Sequence, residues 1–148
     1  MNVCAGITLL GRTRIDIFDQ TVDSELFRSI LKRSIFPDAK RLLEANWQLY
    51  MDNDPKHKSK MALKFIAENQ VQLVNPPPNS PDLNPLENVW SVLDTILQEI
   101  QPTNKNSLKE AIKRGWRKLD QNLVQKCIES LPTRLSIVRE EEGGHTKY

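Results

Sequence analysis

A proline-rich segment interrupts the middle of this sequence and limits the folds that it can adopt. Five of the nine prolines lie between residues 75 and 85. Proline has no backbone N–H and is excluded from the interior of a sheet, so this segment is expected to be a stiff or ordered loop. An apolar, strand-like run at residues 71–74 precedes it, and a helix is expected to begin near Asn84. The loop therefore joins a strand to a long helix.

The apolar periodicity on both sides of this loop predicts alternating strands and helices. Strands are predicted at residues 1–10, 14–18, 47–51 and 71–74, with a turn at 11–13. Helices are predicted from Asp23 or Ser24 to about 37, at 39–44, 59–69, 84–100 and 108–119, and from 122 onward. The 59–69 helix is expected to bury Leu63, Ile66 and Ala67. This order favours an α/β layer fold with a mixed sheet and flanking helices.

Composition and charge indicate an intracellular globular protein. The chain has 148 residues, enough for one domain with a core, and its net charge of +2 is too small to indicate nucleic-acid binding by itself. No apolar run approaches the length of a membrane span, and the first positive charges follow the N-terminal apolar run, the wrong order for a secretory signal. Cys4 and Cys127 form no metal-binding or redox motif and are expected to be reduced core residues.

Two carboxylates occupy positions where α/β proteins place functional groups. Asp52 follows a predicted buried strand, and Glu87 begins the helix after the proline-rich loop. Together they would bind a hard cation such as Mg²⁺ through oxygen ligands. The residues alone leave structural alternatives open, because Asp52 also suits an Asx turn and Glu87 also suits a capping box with Asn84.

Two motifs resemble the catalytic motifs of the Tc/mariner superfamily of DDE transposases. One is DNDPKHKS at residues 52–59, and the other is NSPDLNPLENVW at residues 79–90. The second catalytic Asp of the family opens the first motif, and its third acidic residue is the Glu of the second. In the Tc branch 34 residues separate them, as 34 residues separate Asp52 from Glu87 here. Two long motifs at a matching separation are a specific signal.

The resemblance implies a ribonuclease H-like fold and metal-dependent chemistry on DNA. Asp52 and Glu87 would be catalytic residues and ligands of Mg²⁺ or Mn²⁺. The implied reaction is cleavage of DNA phosphodiesters followed by strand transfer in DNA transposition. The implied partners are transposon ends and target DNA, and the implied compartment is the nucleus.

Part of the family pattern has no match in this chain. The family's first catalytic Asp lies on a central strand before the hairpin, and nothing here matches that strand or the region that recognises transposon ends. We assign the early acids Asp16 and Asp19 to surface or turn positions. Residues 1–148 are thus expected to form a partial catalytic domain, helical from about 104 to 148, lacking the first central strand and inactive alone. It would pair with a second copy or with full-length transposase. The alternative is a non-catalytic, transposon-derived remnant that binds DNA or a partner.

Basic residues beside Asp52 are candidates for DNA contact. Lys56, His57, Lys58 and Lys60 cluster within or next to the first motif and would meet phosphates, although a solvated face or a polar turn contact explains them nearly as well. A basic face on the 108–119 helix has the same two explanations. Trp90 and Trp116 fall in apolar helical stripes and are expected to be core residues.

Overall fold

The computed structural model describes residues 1–76 and 84–132, which contain six short strands and six α-helices. No helix of this described part is long and apolar enough to cross a membrane. The strands are β1 (Asn2–Cys4), β2 (Ile7–Thr8), β3 (Gly11–Arg12), β4 (Asp16–Phe18), β5 (Gln48–Tyr50) and β6 (Gln72–Val74). The helices are α1 (Ser24–Ile30), α2 (Phe36–Leu43), α3 (Lys60–Glu68), α4 (Pro85–Ile100), α5 (Lys105–Lys118) and α6 (Gln121–Glu129). A π-helical segment, Leu31–Ile35, connects α1 to α2.

The first four strands form one long antiparallel hairpin that bends in its middle. β1 pairs with β4, and β2 pairs with β3. The bend lies at Gly6 and Thr13, which exchange backbone and side-chain hydrogen bonds across the hairpin. The predicted turn at 11–13 is wrong: the chain reverses at Leu9 and Leu10, and Gly11 is already paired with Thr8. Apolar residues occupy the true turn, so the sequence carries no turn signal there.

The helix that follows does not stop at Pro37 as predicted. Asp23 caps α1 by accepting from the backbone N–H of Leu26, and the chain then stays helical through the π segment into α2. Pro37 lies in the first turn of α2. Because proline has no backbone N–H to donate into an α-helical ladder, it fits the junction where the wider π turn gives way to α2. The predicted break is therefore a change of helical pitch.

β5, α3 and β6 form a parallel strand–helix–strand unit. The register pairs Leu49 with Leu73, and Ser59 caps α3 through the backbone N–H of Ala62. Antiparallel and parallel pairs are thus both present, but the described strands form three two-stranded sheets and not the single mixed sheet that was predicted. No strand in the described residues pairs with both β1 and β5.

Two apolar clusters cover the two faces of the hairpin. Phe18 packs into a cluster with α1, the π segment and α3, whereas its neighbour Ile17 packs against a cluster built by α4, α5 and α6. Alternation along β4 therefore directs successive side chains into different cores. Trp116 and Trp90 stack in the second cluster with ring centroids 5.3 Å apart, which confirms that both are core residues.

Some predicted buried positions are displaced along their helices. On α3 the buried residues are Ala62 and Ile66, and the predicted core residues Leu63 and Ala67 are exposed. This helix is short, so a small rotation changes which of two adjacent apolar residues faces the core. Both cysteines are free thiols packed against the clusters, as predicted.

Candidate active site at the carboxyl end of β5

The loop that carries Asp52 begins where the parallel pair ends. The backbone N–H of Met51 still donates to the carbonyl of Val74, at 3.3 Å, and Asp52 is the next residue. Asn53 then donates through Nδ2 to the carbonyl of Pro76, at 3.1 Å, and so ties this loop to the segment that leaves β6. Asp52 therefore lies at the carboxyl edge of the β5–β6 pair, where the strand pattern predicted it.

The Asp52 carboxylate is held by its own loop and remains open to solvent. Its Oδ1 atom accepts hydrogen bonds from the Nδ1–H of His57 and, at 3.2 Å, from the backbone N–H of Asp54. The second bond is the Asx turn that the sequence allowed. The side chain is nevertheless 45% exposed. The turn orients the carboxylate without covering it.

His57 is fixed between Asp52 and the first core. Its ring packs on Phe27, with centroids 4.3 Å apart, and Phe27 is buried in the α1 side of that core. An ionised carboxylate only accepts hydrogen bonds, so the Nδ1 atom of His57 carries the proton in this contact. Neither Phe27 nor Asn53 was predicted as part of the site, because their roles depend on contacts between distant segments.

Glu87 lies in the first turn of α4. Asn84 caps this helix by accepting from the backbone N–H of Leu86, at 3.0 Å. The capping box suggested for Glu87 does not form: its side chain is exposed and makes no hydrogen bond or ion pair with the described residues. Its negative charge is favoured by the positive end of the helix dipole. The part of the second motif at residues 79–83 lies outside the described residues.

The donor chemistry of Asp52 and Glu87 suits a hard divalent cation, because both are exposed carboxylates. Residues 1–76 and 84–132 contain no group of three or more His, Cys, Asp or Glu side chains that could hold a metal ion. Two carboxylates alone do not form a complete set of ligands for such an ion. These two acids remain predicted site residues.

Cys4 lies close enough to sense two carboxylates. Burial, together with the nearby negative charges of Asp16 and Asp52, raises the pKa of its thiol to about 11. Asp16 pairs with Cys4 across the β1–β4 ladder and forms an ion pair with Arg33 at 3.1 Å. The surface assignment of Asp16 is wrong: its side chain is 16% exposed and its Oδ2 atom is buried, because helices cover both faces of the hairpin.

Two of the predicted DNA-contacting lysines, Lys56 and Lys58, lie in the loop that follows Asp52, and the third, Lys60, begins α3. Lys56 is paired with Asp54 at 3.7 Å, and both Lys56 and Lys58 are exposed. Lys60 is exposed on the first turn of α3. These positions place positive charge beside Asp52, and DNA contact by these lysines and by His57 stays a prediction.

The basic residues of α5 have two kinds of neighbours: some pair with Asp19, and others border a groove. Asp19 forms ion pairs with Lys109 at 3.1 Å and with Lys105 at 2.9 Å. Those lysines lower the pKa of the Asp19 carboxyl, which lies at the surface as predicted. Lys113 and Arg117 instead border an open groove beside β3 and β4.

Comparison with known proteins identifies a matching family and several relatives. A family model described as DDE superfamily endonuclease matches residues 1–109. The chain is 33% identical over 128 residues to the Transposable element Tcb1 transposase of Caenorhabditis briggsae, covering 86% of this chain and 47% of that protein. It is 29% identical over 127 residues to the Tc1 transposase of Caenorhabditis elegans, covering 86% and 46%. The chain spans about half the length of these relatives.

Solved structures share the fold at low sequence identity. The Mos1 transposase catalytic domain, determined with Raltegravir and Mn, superposes with a TM-score of 0.86 at 16% identity, over 98% of this chain and 76% of that one. The same domain with Mg gives a TM-score of 0.76 at 13% identity, over 98% and 76%. The Mos1 paired-end complex with the left transposon end gives 0.82 at 16% identity, over 97% and 44%. These structural matches confirm the ribonuclease H-like fold, and the family model with the two Caenorhabditis relatives confirms the Tc/mariner resemblance. The chain belongs to the DDE superfamily endonuclease family.

Proposed function

We propose that this chain is the part of a DDE transposase catalytic domain that supplies two of its acidic metal ligands, Asp52 and Glu87. The observation that carries the proposal is the Asp52 carboxylate, oriented by its loop yet 45% exposed at the carboxyl end of β5. A merely structural Asx turn has no need of the additional contact with His57. Family membership favours this function over a non-catalytic remnant.

Asp52 and Glu87 would hold Mg²⁺ or Mn²⁺ through carboxylate oxygens. Such an ion, when bound, polarises a phosphodiester and lowers the pKa of an attacking water or hydroxyl. His57 would act on Asp52: its hydrogen bond to Oδ1 restricts rotation of the carboxylate. That contact favours presentation of the other oxygen to a ligand. The Mos1 structures with Mn and with Mg support this choice of metals.

The substrate would be DNA at transposon ends and at the target, in the nucleus, with a second copy or full-length transposase as partner. The Mos1 paired-end complex supports DNA as the substrate class. Lys56, Lys58 and Lys60, with His57, would contribute affinity for phosphates that weakens as salt rises. Two carboxylates bind a divalent ion weakly and cannot hold a full coordination shell. The chain alone is therefore expected not to cleave DNA.

The first test is Mn²⁺ binding measured by electron paramagnetic resonance. We expect weak binding by the wild-type chain that is lost in Asp52→Asn and in Glu87→Gln. Asp54→Asn is the matched control, since Asp54 lies in the same loop but pairs with Lys56. Equal binding by all four proteins would refute the ligand assignment.

The second test is cleavage of supercoiled plasmid with Mg²⁺ or Mn²⁺. The wild-type chain is expected to leave the plasmid intact. Nicking that disappears in Asp52→Asn would show that a further ligand comes from this chain or from a second copy. That result would overturn the expectation of inactivity while supporting the role of Asp52.

A further inference from the structure

A second charged surface lies on the hairpin, apart from the Asp52 loop. We call it the basic groove: an open depression of about 680 Å³ along β3 and the start of β4, bordered by the π segment and α2 on one side and by α5 on the other. Six cationic side chains border it: Arg12, Arg14, Arg33, Arg41, Lys113 and Arg117. Only one carboxylate among the described residues, that of Asp16, borders the groove. The whole chain carries a net charge of only +2, so this groove concentrates its positive charge.

Acidic neighbours neutralise only part of this charge. Asp38 lies buried beneath the groove and bonds to Arg14 at 3.1 Å, with Arg41 at 3.8 Å. Asp16 accepts from Arg33, and Glu110 forms an ion pair with Lys113 at 3.3 Å. The Arg14, Arg33 and Arg41 side chains nevertheless remain more than half exposed. These pairs hold the guanidinium groups in place while leaving donors free to face a ligand.

Arg12 has no carboxylate partner among the described residues. Its guanidinium donates to the carbonyls of Leu119 and Arg117, at 2.8 and 3.1 Å, and lies 6.0 Å from the ring centroid of Trp116. Burial without an anion lowers the pKa of Arg12. A bound anion would offset this cost of burying a cation. The fixed guanidinium retains further N–H donors for such an anion.

We propose that the basic groove binds the phosphodiester backbone of duplex DNA. Its cations come from three parts of the fold and border an open trough, which suits a chain of phosphates better than one small anion. Arginine predominates, and its planar fork matches phosphate oxygens. The choice of DNA as the polyanion rests on the proposed function. The groove involves neither Asp52 nor Glu87, so it would position DNA and take no part in the chemistry.

The test removes three groove cations that have few structural contacts. Arg41→Gln, Lys113→Gln and Arg117→Gln are combined in one protein. A matched protein carries Lys40→Gln, Arg114→Gln and Lys118→Gln, which removes three exposed cations from the same two helices outside the groove. Binding to a duplex oligonucleotide is measured in EDTA over a salt series, and circular dichroism verifies the fold of both variants.

The groove variant is expected to lose affinity at least about tenfold at 100 mM salt, and its slope of log affinity against log salt should shrink by about 2 to 3. The matched variant should change far less. Equal effects in both variants would mean diffuse charge attraction and would overturn the proposal, as would unchanged binding by the groove variant or no binding by wild type. Because EDTA removes divalent ions, none of these outcomes depends on the metal-binding test of the proposed function.

A second readout locates the contact on one helix. Lysine acetylation read by mass spectrometry should show Lys113 protected by DNA and Lys118 unprotected. Protection of both or of neither would contradict the groove as the contact surface.

Discussion

Trp116 connects the helical end of the chain to the hairpin, and its replacement gives a quantitative test of the fold. The residue is 4% exposed, and its Nε1–H donates to the carbonyl of Thr13 at 2.9 Å, across 103 positions of sequence. Thr13 is buried and its other polar groups are bonded to Gly6 and Arg14. Trp116→Phe keeps an aromatic ring and removes this donor.

The expected cost follows from the orphaned carbonyl. A neutral hydrogen bond contributes about 0.5–1.5 kcal/mol net, and a buried acceptor left without a partner costs about 1–3 kcal/mol. Trp90→Phe is the matched control, because Trp90 stacks on Trp116 but its indole N–H bonds to none of the described residues. Trp116→Phe should therefore lower the free energy of unfolding by about 2 kcal/mol more than Trp90→Phe.

The assay is urea unfolding followed by circular dichroism, since removing a tryptophan alters fluorescence. Domains of this kind are stable by about 5–15 kcal/mol, so both variants should still fold. Equal losses of stability in the two variants would refute the role given to the Thr13 contact.

Three further predictions follow from buried contacts. Gly115→Ala should lower the melting temperature, because the added Cβ would lie 2.7 Å from Cδ1 of the buried Leu93. Alanine favours helices more than glycine does, so a higher melting temperature would contradict this packing. The rate of Cys4 alkylation should rise with pH, with a midpoint near pH 11. Asp16→Asn should lower this midpoint because it removes a nearby negative charge, and an upward shift or no shift would contradict the arrangement. Asp38→Ala should cost about 1.5–3 kcal/mol in urea unfolding, since its carboxylate accepts charge-assisted bonds in a buried position, and a neutral effect would contradict that role.

Features with local causes were predictable from the sequence. Asp23, Ser59 and Asn84 each cap a helix as their residue types indicated, and β5 and β6 lie within the predicted strands. Features set by tertiary packing were not predictable from the sequence. Pro37 fits inside a continuous helical run because the π segment changes the pitch, and Leu63 is exposed because α3 packs through Ala62 instead.

In the candidate site, too, local features were predictable from the sequence and contacts between distant segments were not. The position of Asp52 follows from the strand that precedes it, so its place at a sheet edge was predictable. The support from Phe27 beneath His57 joins segments distant in sequence, and no pattern indicates it. The basic groove likewise collects arginines from the hairpin and from α2, which look like scattered charges along the sequence.

The central claim is that Asp52 and Glu87 bind the same divalent ion. Paramagnetic broadening by Mn²⁺ in amide NMR spectra tests it at the level of residues. The account predicts that substoichiometric Mn²⁺ broadens signals from residues 52–54 and 86–88 together, and that Asp52→Asn or Glu87→Gln abolishes both effects at once. Broadening confined to one of these segments, or persisting at one when the other acid is removed, would contradict a shared site.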